Sequence, residues 1–213
     1  MTEAFTKIPE EKQKHILNVC IEEFAKNGFH STSTDVITTK AGISKGILFH
    51  YFKNKKNLYM YILKSVTEEF TKLFTEELNK ISSLEFFDRI KEATILKYKI
   101  SMLYPKESEL MLKAFINPPS DLEKEINKLY INIASLSQEI YQKQLFNYMK
   151  EETLKDGISK EKAIEASILL LEAYSNRLMQ HYKGKEEELL NSMESVIKDL
   201  NEYIEIIKYG IYK

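Results

Sequence analysis

The chain has 213 residues, of which 43% are apolar and 30% charged, with a net charge of −1. That suits one or two globular domains with a buried core and excludes a disordered or collagen-like chain. A single cysteine, Cys20, excludes an intrachain disulfide, the charged first thirty residues lack a signal-peptide core, and no apolar run approaches about eighteen residues, so a cytoplasmic protein without membrane contact is expected.

The spacing predicts a first helix over Pro9 to Asn27, with Pro9 at its first position, Glu10 and Glu11 at its positive end and Gly28 as its stop. Leu17, Cys20, Ile21 and Phe24 recur at i, i+3, i+4, i+7 and mark its buried face, so Cys20 reads as a small core residue. A short helix follows, capped at Thr32/Ser33 with Asp35 in capping-box register, and with Val36, Ile37 and Ala41 as its apolar contacts. Gly42 supplies the turn, and Ser44 caps a second short helix from Lys45 to about Tyr51. That second helix turns Leu48 and Phe52 inward and Lys45, Phe49 and His50 outward, the pattern of a DNA-reading helix-turn-helix.

Asn54 is expected to cap a long helix to about Lys80, striped by Leu58, Ile62, Val66, Phe70, Leu73 and Phe74 and shared between two cores. Ser82 with Glu85 reads as a capping box for a helix over about Leu84 to Leu103, which Tyr104-Pro105 breaks. The next helix ends near Ile116, before Asn117-Pro118-Pro119, and Ser120 and Glu123 open another that meets no breaker until Gly157, long enough to invite an interruption. Ser159 starts a helix that ends near Gly184, and a last one runs from about Glu186 to Tyr209. The expectation is therefore an all-α chain of about nine helices. The last two carry apolar faces broader than one neighbour covers (Ile164, Ile168, Leu171, Ala173, Tyr174 and Leu178; Leu189, Met193, Val196, Leu200, Tyr203 and Ile207), which predicts a homodimer joined through these two C-terminal helices.

Charge supports a nucleic-acid partner. Between Asp35 and Glu68 there is no acid, while Lys40, Lys45, Lys53, Lys55, Lys56 and Lys64 all lie there, a local excess suited to phosphate neutralisation. Only two arginines occur, Arg89 and Arg177, neither in this segment, so any guanine contact falls to Lys45 or another lysine.

The stretch Gly28 to Tyr59, GFHSTSTDVITTKAGISKGILFHYFKNKKNLY, resembles the N-terminal signature of the TetR/AcrR family of bacterial transcriptional regulators. Thr32/Ser33, Ala41-Gly42-Ile43-Ser44, Gly46 and Phe49-His50-Tyr51-Phe52 carry the likeness, which is dense over the first sixty residues or so and architectural beyond them. Thr38 stands where the family usually has alanine, and Phe49 where it commonly has tyrosine. The resemblance implies a three-helix DNA-binding headpiece over 1–53, joined through the long helix to a ligand-binding and dimerisation domain over 54–213. It implies base-edge contacts by Ser44, Lys45, Gly46, Ile47 and His50, and phosphate contacts by Thr32, Ser33, Lys40, Phe49, Tyr51 and Lys55. It also implies a repressor that binds a palindromic operator in double-stranded DNA and is released by a small apolar or aromatic effector, for which Tyr98, Met102, Phe115, Tyr141 and Tyr174 are the chosen pocket residues.

Little points to catalysis. His15, His30, His50 and His181 make no metal-ligand spacing, no Gly-rich phosphate loop occurs, and neither a cofactor nor a catalytic residue is expected. Ser159-x-x-Lys162 and Ser195-x-x-Lys198 match a Ser–Lys nucleophile pattern only by coincidence, one at a helix start and one inside an amphipathic helix. The competing reading is a helical small-molecule carrier or interaction protein without operator binding.

Overall fold

The computed structural model describes residues 3–211, so the outermost residues of the expected domains, 1, 2, 212 and 213, lie outside the described residues. The described chain is helical, in the order α1 Glu3–Thr6, α2 Glu10–Ser31, α3 Thr34–Ala41, α4 Lys45–Phe52, α5 Lys55–Leu78, α6 Phe86–Leu103, α7 Pro105–Ile116, α8 Glu123–Gln144, α9 Lys160–His181, α10 Glu186–Asn191 and α11 Met193–Ile211. Eleven α-helices among the described residues replace the nine expected, because the sequence periodicity conceals α1 and the break between α10 and α11. The chain forms two compact units, one of residues up to Phe70 with Tyr104–Asn132, the other of Thr71–Leu103 with residues from Ile133 onward.

The first unit is built on α2. Ile16, Cys20 and Phe24 are fully buried on one face of that helix, and burial pushes the Cys20 thiol up to about 12. Against this face pack Ile37 of α3, Leu48 and Phe52 of α4, Leu58 and Ile62 of α5, and Leu110 and Ala114 of α7. Phe5 of α1, absent from the sequence reading, is fully buried, with its ring centroid 4.9 Å from Phe52 and 5.3 Å from Tyr51. Pro9 stands at the N-cap of α2 rather than at its first position, and Gly28 (φ 68, ψ 178) ends the regular helix as expected, with one more turn beyond it. Lys113 of α7 donates to the Ala25 carbonyl just before that break and pairs with Glu109 at 2.6 Å.

The second unit packs α6 on α11, with Phe86, Phe87 and Ile90 buried beside Leu200 and Ile204. One expected feature of this unit is corrected. Glu85, not Ser82, caps α6, its carboxylate accepting the Asp88 N–H at 3.0 Å, and Leu84 lies outside the helix at 69% exposure. The helix opening near Glu123 is interrupted before Gly157, as its length invited: it ends at Gln144, and two 3₁₀ turns, Phe146–Tyr148 and Glu151–Thr153, follow. No breaker residue stops it. Leu145, Phe146, Met149 and Leu154 are all buried in one core, and the short turns place them there.

Candidate nucleic-acid interface

Local chemistry sets α3 and α4. Ser33 caps α3, its hydroxyl accepting the Asp35 N–H at 3.2 Å, and Gly42 takes the left-handed conformation (φ 63, ψ 33) that ends it. Ser44 caps α4 by accepting the Ile47 N–H at 3.2 Å. The capping box of Thr32 with Asp35 does not form. Thr32 is the C-cap of α2, and its buried hydroxyl donates to the carbonyls of Glu23 and Gly28 at 3.0 and 2.6 Å. Asn54 caps α5 as anticipated, accepting the Asn57 N–H at 2.8 Å.

Leu48 and Phe52 face the core, while Ser44, Lys45, Gly46, Ile47 and His50 form the open face of α4, Ile47 at 40% exposure. Phe49 is half-buried, and Tyr51 is buried at 8% exposure among aromatic rings. Val36 of α3 is not a core contact, being 41% exposed, whereas Thr38 is buried and satisfies its hydroxyl on the Asp35 carbonyl at 3.0 Å. At the end of α4, Lys53 adopts φ 67 and ψ −50, and the Asn54 N–H donates to the Phe52 carbonyl at 2.8 Å. This is a γ-turn of the strained hand, and it presents an exposed lysine.

The lysine excess of the sequence is largely countered in three dimensions. Lys40 pairs with the buried Glu23 at 2.6 Å, and that hydrogen bond and charge hold the Lys40 ammonium above the ordinary lysine range. Lys45 pairs with Asp35 at 2.9 Å, Lys56 with Glu125 at 2.6 Å and Lys64 with Glu68 at 3.7 Å. Lys55 donates instead to the His30 carbonyl at 3.0 Å and lies over the Phe29 ring; burial lowers its ammonium below the usual range, against the opposing charge of Asp121. Only Lys64–Glu68, at i,i+4, is visible in a short sequence window; the other acids lie 10 to 69 residues from their lysines, as far as Glu125.

The five residues chosen for a pocket have separate surroundings. Phe115 belongs to the first unit and packs on Tyr130 at 5.7 Å between ring centroids; the other four belong to the second. There Tyr141 packs on Phe74 beneath the Lys97 ammonium, Tyr98 is half-buried and Met102 is 56% exposed. Tyr174 is buried, donates its hydroxyl to the Val196 carbonyl at 2.8 Å and packs on Tyr203. An open groove along α10 and α11, lined by Ser195, Lys198, Asn201 and Glu205, includes none of the five. Among the described residues, no group of three His, Cys, Asp or Glu side chains is arranged to hold a metal, and no helix is long and apolar enough to cross a membrane.

Two short helices about a left-handed glycine, the second capped and presenting polar residues outward, define a helix-turn-helix unit on an all-helical scaffold. Residues 16–62 match the model of bacterial regulatory proteins of the tetR family. The chain is 33% identical over 102 residues to the HTH-type transcriptional regulator RutR of Escherichia coli K12, a match covering 46% of this chain and 45% of RutR. The chain thus spans under half the length of that curated relative. A TetR family transcriptional regulator from Chloroflexus aurantiacus J-10-FL shares the fold, with a TM-score of 0.60 and 23% identity over 100% of this chain and 98% of that one. So does FadR of Bacillus subtilis, solved in complex with stearoyl-CoA, with a TM-score of 0.53 and 18% identity over 87% and 95% of the two chains.

Proposed function

We propose that the protein is a transcriptional repressor that binds a palindromic operator as a homodimer and leaves it when a small, largely apolar effector binds. The observation that carries the reading is the open face of α4, where Ser44, Lys45, Gly46, Ile47 and His50 surround a capped helix N-terminus. In the proposed complex Lys45 donates to base edges, Gly46 allows close backbone approach and Ile47 meets a thymine methyl. Lys53, Lys55, Ser33 and the half-buried edge of Phe49 position the phosphates. Thr32, Lys40 and Tyr51 support this face from beneath, since each is buried or paired within the first unit.

The dimer is proposed on α9 and α11. Leu169 is 60% exposed, Ile206 67% and Tyr209 74%, apolar surface that a second copy would cover. Two heads then meet successive major grooves about 34–36 Å apart. Residues 1–53 are the reading domain in this proposal and 54–213 the effector and dimer domain, connected through α5. FadR, of the same fold, holds stearoyl-CoA in its crystal, which supports an apolar effector here, met by the half-buried rings of Tyr98 and Tyr141.

Gel shifts of a duplex from upstream of the protein's own coding sequence, at several salt concentrations, test the reading. The expected result is a salt-dependent complex holding two chains per duplex. No complex, or one indifferent to salt, overturns it.

A further inference from the structure

Asp35 stands on α3 with its carboxylate 2.9 Å from the Lys45 ammonium, and both side chains are more than half exposed. The acid does not cap α3, because Ser33 already accepts the Asp35 N–H. Its side chain lies instead beside the one cation of the reading helix, on the face that the proposed function turns to DNA. An acid there repels phosphate, so its presence needs a reason beyond the stability of the first unit.

Resting on that proposed function, we propose that Asp35 is a specificity-determining residue: it holds Lys45 away from backbone phosphates and releases it only to a base edge. A lysine ammonium is a compact point charge, satisfied by any phosphate. On a non-operator duplex, leaving Asp35 for one phosphate exchanges one anion for another and gains little, so Lys45 stays paired and releases no counterion. At the operator a guanine offers O6 and N7 together, and that pair of acceptors outweighs the surface ion pair. The carboxylate therefore suppresses affinity where sequence is not being read and costs little where it is.

The test compares wild type with Asp35→Asn on two duplexes of equal length: one selected by this protein from a random pool, the other its shuffled sequence. On the shuffled duplex the variant should bind roughly three- to tenfold tighter at low salt, with a log K against log[salt] slope steeper by about 0.9, the signature of one recovered phosphate contact. On the selected duplex the slope should be unchanged. Both gains should vanish when Asp35→Asn is made together with Lys45→Met.

Equal slope changes on the two duplexes, no change on either, or a gain that survives without Lys45 would each overturn the inference. If wild type binds neither duplex, the proposed function falls and this inference with it, an outcome distinct from the other three. Thermal unfolding of the variants confirms that a shared fold is being compared.

Discussion

Each unit contains one charged side chain that the sequence alone would place at the surface, and the two are satisfied in opposite ways. Glu23 in the first unit is 4% exposed and held by charge and amide together: Lys40 at 2.6 Å and the Asn27 side-chain amide at 3.2 Å. Arg89 in the second is 2% exposed, and among the described residues no carboxylate lies within ion-pair distance of it. Its guanidinium donates to the main-chain carbonyls of Gln144, Ile81 and Ser83 at 2.7, 3.0 and 2.9 Å and lies 3.8 Å from the Tyr148 ring centroid. A carboxylate is strongly hydrated and needs a cation or several donors to be buried, whereas a planar, weakly hydrated guanidinium can be satisfied by carbonyls and an aromatic face. The arginine thereby answers the carbonyls exposed where α8 stops and where the chain leaves α5. Glu23 instead ties α2 to α3 and so fixes the platform beneath the reading face.

That difference predicts unequal damage. Arg89→Met leaves three half-buried carbonyls without their donor and buries no replacement for it, and should cost about 3 kcal/mol of unfolding free energy by denaturant titration. Arg89→Lys should cost nearly as much, because a single ammonium cannot span carbonyls so arranged; full rescue by lysine would show that charge, not the fork, is what matters. Glu23→Gln should cost only about 1 kcal/mol, since Lys40 can turn to solvent and the amide keeps its shape. A loss as large as that of Arg89 would erase the contrast. Lys53→Gly should stabilise the protein by about 1 kcal/mol by relieving the strained turn after α4, while weakening the proposed DNA binding through the lost cation.

The smallest effect concerns Cys20. With its thiol pushed up to about 12 by burial, it should resist a disulfide reagent at pH 8 in the native protein and react fully in denaturant, so labelling reports unfolding of the first unit. The folded-state value is raised, so this group leaves stability untouched below the unfolded thiol's range. Stability declines as the pH climbs from there towards 12 and the unfolded chain alone ionises. Rapid native labelling would mean that the first core opens more readily than its packing implies.

Much of the reading unit was legible because its signals are local. Ser44 before Lys45, Gly42 after Ala41 and Asn54 before Lys55 act within one turn, so neighbouring letters carry the information. At Thr32 and Ser33 the local signal is ambiguous by one position, since two adjacent hydroxyls compete for the cap and only the packing against Glu23 and Gly28 chooses between them. The pocket residues were not legible. Helical spacing puts a ring on an inward face without distinguishing the core packing of Tyr174 from the half-open surroundings of Tyr141.

By itself the sequence determined that the chain is helical, where most helices begin and break, and that a capped helix after Gly42 presents polar residues. Those outcomes follow from hydrogen bonds and dihedral preferences spanning a few residues. Only the tertiary structure decided which lysines keep an uncountered charge, where α8 stops, that Phe5 fills the first core, and that Arg89 lies inside the second. Those depend on partners distant along the chain, such as Lys56 with Glu125 and Arg89 with Gln144, whose meeting is settled by packing rather than by any local preference.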